Sequence, residues 1–259
     1  LGRLHLNEVF PDDVTTVYYD SINSHNIEEA IDDAIANGCN VIFTTSPTFS
    51  QASLKAAIAN PKITILSCSL HDPHTSMRTY YARMHEAKFI MGAVAGSMAA
   101  HDKIVYIADY PIYGTIANIN SFAQGVKMTN PRAKIHLLWS CLKDVDVEEQ
   151  IKQLQPDCVS DKDLSVPEAG TRYYGLYMSY PDSIWNLAIP IYNWGKFYEQ
   201  LIEAILNGTW KADDSKNVKA INYWWGMAEN AIEVISSPWL PEGIKKLINL
   251  LTKTIRSGD

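Results

Sequence analysis

Lys103-Ile104-Val105-Tyr106-Ile107-Ala108 is the stretch on which the fold reading turns. After its first residue it is apolar throughout, with no polar alternation, as in a strand of a parallel sheet covered on both faces. It also restarts a cycle. Upstream, Ile27, Ala30, Ile31, Ala34 and Ile35 recur at helical spacing and Gly38 stops them. Val41-Ile42-Phe43-Thr44-Thr45 then reads as a strand, Ser46-Pro47 opens a helix that runs to Asn60-Pro61, and residues 63–68 form the next strand. A long helix is expected over residues 76–100. Downstream the alternation repeats: a helix over 115–128, a strand at Lys134–Trp139, a helix at Val147–Leu154, and two strands at 157–160 and 173–178. A short apolar segment at 187–191, an amphipathic helix over 194–206 ended by Asn207-Gly208, the aromatic run Tyr223-Trp224-Trp225 and a last helix over 241–255 complete the chain. Two β-α series of similar size predict an α/β protein of two doubly wound lobes with parallel sheets.

Composition narrows the function. The 22 basic and 29 acidic residues are interspersed and sum to a net charge of −7, so no basic face for nucleic acid is expected. The longest apolar run, residues 89–100, is too short for a membrane, which takes roughly 20 residues. Its Gly92 and Gly96 read as a close helix-packing motif. Cys39, Cys68, Cys141 and Cys158 have no C-x-x-C spacing and read as free thiols. His71-Asp72-Pro73-His74 gives two imidazoles and a carboxylate, but Pro73 keeps them off a regular helix and no third ligand is placed. No P-loop, G-x-S-x-G, H-E-x-x-H or strand-linked G-x-G-x-x-G occurs, so neither catalytic residues nor a cofactor or metal is expected.

In open α/β sheets ligands bind beyond the carboxyl ends of the strands. The segments that follow the strands are Thr45-Ser46-Pro47, Ser69-Leu70-His71, Asp109-Tyr110-Pro111, Ser140-Cys141, Asp161-Lys162-Asp163 and Ser179-Tyr180. Hydroxyls, carboxylates and aromatic rings suit a polar, planar molecule.

Further stretches carry a family likeness: Val41 to Phe49 (VIFTTSPTF), Tyr80 to Ala87 (YYARMHEA), Gly92 to Gly96, Tyr106 to Ile112 (YIADYPI), Ile119 to Gly125 (INSFAQG), Asn130 to Lys134, Asn193 to Tyr198 (NWGKFY) and Asn207 to Trp210. In this order, over roughly residues 1–255, the chain resembles the basic membrane protein (BMP) family of substrate-binding lipoproteins of ABC transporters, which includes purine nucleoside receptors. The resemblance implies a type I periplasmic-binding fold, two Rossmann-like lobes with a central ligand cleft. The lobes are placed at residues 1–102 plus about 192–220, and at 103–191 plus about 221–259. The family's opening strand is absent, since the chain starts after it.

The implied function is capture of a purine-like base or nucleoside for an ABC permease. The implied location is extracytoplasmic, periplasmic or on the membrane through a lipid anchor outside this chain. By the resemblance Phe49, Tyr110, Trp139 and Trp194 are stacking candidates, and Asp109, Asp161 and Asp163 hydrogen-bond the base edge or a ribose. Thr45 and Ser46 add hydrogen bonds. Met178 belongs to Tyr177-Met178-Ser179, which stands where nucleoside-binding relatives carry carboxylates. Each candidate also has a plainer role. Phe49 and Trp139 suit the core as well as a site wall, Asp109 suits a turn cap, and Asp161 and Asp163 suit a solvated loop or a helix cap. Arg78 and Arg83 read as a solvated face, and Trp224 and Trp225 as packing. Two other functions stay open: a ligand-sensing regulatory domain of a larger, cytoplasmic protein, and a nucleoside hydrolase-type enzyme.

Overall fold

Ile65 and Leu66 are neighbours in sequence, and both are buried on opposite faces of one sheet, the pattern of a strand covered on both sides. The computed structural model describes residues 2–70, 74–162, 171–180, 183–210 and 221–258. The chain divides into two units, Leu1–Ala82 with Asn193–Trp225, and Arg83–Tyr192 with Gly226–Asp259. In chain order the first unit opens with α1 (Gly2–Val9), α2 (Ile27–Ala36), β1 (Val41–Thr44), α3 (Ser50–Ala59), β2 (Thr64–Cys68) and β3 (Arg78–Ala82). The second then runs through α4 (Met84–Met98), β4 (Lys103–Ala108), α5 (Tyr113–Thr129), β5 (Lys134–Trp139), α6 (Val147–Leu154), β6 (Cys158–Ser160), β7 (Leu176–Tyr180) and β8 (Ser183–Tyr192). The chain returns to the first unit for α7 (Trp194–Leu206) and β9 (Asn222–Trp225), and ends in the second with β10 (Ile232–Ser236) and α8 (Glu242–Ser257).

In the first unit the sheet order is β1-β2-β3-β9, parallel throughout. Ile27, Ile31, Phe49, Ala57, Ile65 and Met77 pack on one face. On the other, Leu66 and Tyr80 meet Phe197 and Leu201 of α7, with the Phe197 ring stacked on Tyr80 at 5.0 Å. The expected helix over 76–100 is a strand and then a helix. Thr79, Tyr80 and Tyr81 are strand-forming residues, and β3 pairs on one side with β2 and on the other with β9. Neither arginine reads as solvated. The Arg78 guanidinium lies 3.6 Å from the Trp210 ring centroid and donates to the Tyr223 hydroxyl. Arg83 pairs with Glu86 at 2.6 Å and with Glu229 at 3.1 Å.

The second unit's sheet runs β10-β8-β7-β6-β4-β5 and is mixed, not parallel as expected. Strands β5, β4 and β6 are parallel, whereas β7, β8 and β10 are antiparallel to their neighbours. Only two residues lie between β7 and β8 in the chain, and antiparallel neighbours need no crossover. Val105, Ile107, Val159 and Tyr177 pack beneath Val147, Ile151 and Leu154 of α6. On the opposite face Tyr106 meets Phe122 of α5 edge-on at 4.9 Å.

Helix α4, which the sequence reading gives to the first lobe, packs within the second unit against α5. A Cβ on Gly92 would overlap the Phe122 carbonyl, one on Gly96 would lie 2.8 Å from the Val126 carbonyl oxygen, and one on Gly125 would overlap the Phe89 carbonyl. The two backbones therefore touch. Gly92→Ala is expected to destabilise the protein by about 2 kcal/mol through overpacking. Gly243→Ala, whose added methyl meets nothing within 4 Å in α8, should instead stabilise by about 0.5–1 kcal/mol. Urea unfolding of both variants checks the pair, and equal effects would rule out the helix contact as the cause.

Candidate functional site

In the second unit three parallel strands deliver polar side chains at one edge. Strand β4 ends in Ala108 and is followed by Asp109, β5 is followed by Ser140, and β6 by Asp161. Asp109 is only 8% exposed, and its carboxylate accepts a hydrogen bond from the Ser140 hydroxyl at 2.8 Å. The Ser140 amide donates to the Ala108 carbonyl at 2.8 Å, fixing the two strand ends together. Asp161 is half-buried and donates its amide to the Gly175 carbonyl. Burial pushes its carboxyl above the usual carboxylate range, and the nearby Asp109 pushes the same way. The Lys162 amide, which donates to Asp161 at 2.6 Å, and the charges of Lys162 and Lys88 pull it back.

Lys88 of α4 lies beneath these strand ends, 1% exposed. Its ammonium donates to the Ser160 hydroxyl at 3.4 Å and sits 5.1 Å from the Tyr106 ring centroid. The sequence reading passed over Lys88, Ser140 and Ser160. The available signal was a lysine on a helix whose other inward positions, Met84, Ala87, Ile90, Met91, Val94 and Ala95, are apolar.

Of the other candidates in this unit, Tyr110 follows Asp109 and is 60% exposed, and Trp139 is half-buried at the end of edge strand β5. Both stand at the carboxyl edge. Met178 does not. Because β7 runs antiparallel, Leu176 is the residue opposite Ser160, and Met178 lies opposite Cys158, two positions back toward the amino end. It is buried there, with the Tyr180 hydroxyl 3.5 Å from its sulfur. Asp163 lies outside the described residues, as do His71 and Asp72. Among the described residues no group of three or more His, Cys, Asp or Glu side chains could hold a metal ion.

In the first unit Thr45 is exposed after β1, and Ser46 is half-buried. The Ser46 hydroxyl caps the short 3-10 turn Pro47–Phe49, accepting from the Thr48 amide at 3.4 Å and bonding the Thr48 hydroxyl at 2.8 Å. Phe49 is taken up by the core: it packs with Ile27, Ile31 and Ile65. Trp194 is half-buried at the start of α7, edge-on to Tyr80 at 5.5 Å and stacked with Tyr198 at 6.4 Å. Behind Thr45 a row of polar residues crosses the sheet, Thr44 opposite Ser67, Ser67 opposite Thr79 and Thr79 opposite Asn222. Thr44 bonds Ser53 of α3 at 2.9 Å, and the Thr79 hydroxyl donates to Asn222.

Comparison with known proteins agrees with this architecture. The chain is similar to an ABC transporter solute-binding protein from Conexibacter woesei, with a TM-score of 0.69, 13% identity, and coverage of 98% of this chain and 90% of that one. A purine-binding protein of Brucella abortus (strain 2308) is 25% identical over 274 residues, spanning all of this chain and 75% of the relative. A putative ABC transporter glucose-binding protein of Haloferax volcanii is 22% identical over 240 residues, spanning 87% of this chain and 59% of the relative. The fold is that of the type I periplasmic binding proteins. Residues 1–151 match the model of the Bmp family, the PnrA-like ABC transporter substrate-binding proteins, and the chain belongs to that family.

The raised Asp161 carboxyl carries a stability consequence. An acid whose folded pKa lies above its unfolded value, about 3.9 for Asp, favours the fold below that unfolded value. It loses the contribution as pH rises through the folded value. Asp161→Asn should therefore raise the melting temperature at pH 7.5, with the gain shrinking as pH falls toward 4. A variant less stable than the parent at pH 7.5 would contradict the assigned cost of the ionised carboxylate.

Proposed function

We propose that this solute-binding protein captures a purine base or nucleoside and delivers it to an ABC permease, with the two units as its lobes. The observation that carries the reading is the pair of carboxylates, Asp109 and Asp161, set at the ends of adjacent strands β4 and β6. A purine presents N–H donors along its edge and a flat ring, and carboxylates with neighbouring aromatic side chains match that combination. Tyr110 and Trp139 supply the rings at this edge. The Brucella abortus relative is a purine-binding protein, which supports the same ligand class. The Haloferax volcanii relative carries a glucose-binding description, so sugars belong in any test. Capture requires no covalent step. The protein works outside the cytoplasm in this reading, held to the membrane by a lipid anchor outside this chain.

Isothermal titration against adenine, adenosine, guanosine, inosine and glucose tests the assignment. At least one purine is expected to bind with saturable heat, and glucose is expected to give none. A response to glucose alone, or to none of the purines, removes the purine reading and leaves the family intact. With the binding purine, Asp109→Asn should weaken affinity by about tenfold or more, since a charge-assisted hydrogen bond is exchanged for a neutral one. Ser140→Ala, which only loosens the orientation of that carboxylate, should cost less.

A further inference from the structure

The chain passes from the first unit to the second at Ala82–Arg83 and again at Trp225–Gly226. Within the first unit the two passages start side by side, since Ala82 and Trp225 are the last register pair of the β3-β9 ladder. Within the second unit they are fastened to each other at once. Arg83 pairs with the Glu86 carboxylate at 2.6 Å and donates to that of Glu229 at 3.1 Å. Glu86 also accepts from the Met227 amide at 2.7 Å, and Glu229 from the Gly226 amide at 2.7 Å. A guanidinium, two carboxylates and two backbone amides thus close one network between residues 83–86 and 226–229. Its side chains are between 15% and 33% exposed, a setting in which charge-assisted bonds are stronger than at an open surface. A Cβ on Gly226 would lie 2.3 Å from a Glu86 carboxylate oxygen, so this close approach depends on glycine. Beyond the network both segments enter the core of the unit, where Met84, Ala87, Met227, Ala231 and Ile232 are buried.

We propose that Arg83, Glu86 and Glu229 form a clasp that makes residues 83–86 and 226–229 one rigid piece of the second unit. Bending at these two passages is then confined to the links Ala82–Arg83 and Trp225–Gly226, between the last pair of the ladder and the first bonds of the clasp. Two links that leave one ladder pair and enter one clasp bend in concert. Without the clasp each passage would bend separately and over more residues. The solute-free protein would then explore more arrangements, and ordering them on capture would cost more conformational entropy. The three side chains act through the backbone they hold and are positioning residues. The proposal rests on the reading that the two units are lobes which move when a solute is captured.

The test has one arm that needs no solute. Spin-labelled unnatural amino acids replace Lys62 and Lys253, exposed residues of the first and second units. The distribution of distances between the labels is measured by pulsed electron spin resonance in four backgrounds: the parent, Arg83→Met, Glu229→Gln and Lys245→Met. Arg83→Met should widen the distribution at least about twofold, because the passages then open locally. Glu229→Gln keeps an acceptor for the Gly226 amide and should widen it less. Lys245→Met breaks the pair with Glu242 elsewhere in the second unit and should leave the parent's width. Hydrogen exchange at the Gly226 and Met227 amides should quicken about tenfold or more in Arg83→Met, as their acceptors lose an anchor. Parental width in both clasp variants would overturn the proposal, even with a lowered melting temperature, since the network would then only stabilise the second unit. Equal widening in Lys245→Met would overturn it too. If Arg83→Met does not fold, Glu229→Gln decides by the same measure. In the second arm the purine found by titration should bind Arg83→Met at least about threefold more weakly than the parent. Parental affinity would refute the link to capture. If no purine binds the parent, the ligand reading fails by itself and the distance distributions still decide the clasp.

Discussion

The contact between the backbones of α4 and α5 is the constraint on which the second unit depends. Gly92 and Gly125 leave no room for a side chain between the helices, so the pair forms a thin layer pressed on one face of the sheet. Phe122 and Tyr106 fill the space between that layer and β4. A helix held so close cannot swing its inward residues to solvent. Lys88, one turn into α4, is therefore committed to the underside of the strand ends whatever its charge costs. Packing fixes the geometry, and the polar groups above it are arranged around that fixed point.

Much of this arrangement was legible in the sequence because it depends on periodicity. The run Lys103–Ala108 is apolar on both faces because helices cover both, and β4 lies where its pattern places it. The glycine spacing at 92 and 96 likewise announced a close helix contact. The misreadings have a common source. The helix expected from residue 76 onward absorbed β3, because Arg78–Ala82 is a short strand whose identity comes from pairing with β9, far away in the chain. The antiparallel turn-back of β7 was hidden for the same reason. A five-residue strand carries no mark of its direction, which is set by the partner beside it.

The site divides along the same line. Asp109 and Asp161 stand at the carboxyl edge where the sequence puts them, because position after a buried strand is a local property. Met178 was misplaced because its position depended on the direction of β7. Phe49 shows another limit: an aromatic residue after a strand suits a binding surface or a core equally, and only the cluster of Ile27, Ile31 and Ile65 decides between them. Lys88 was missed because it is carried on the helix that precedes β4, away from the segments that follow the strands.

The buried lysine also sets a cost that an acid at a strand end does not carry. A lysine placed on an apolar helix face before any acid stands within reach leaves a stranded charge, and most proteins have too little stability in reserve to survive it. An acid placed first, at the rim of a strand, keeps some access to water and can protonate when it must.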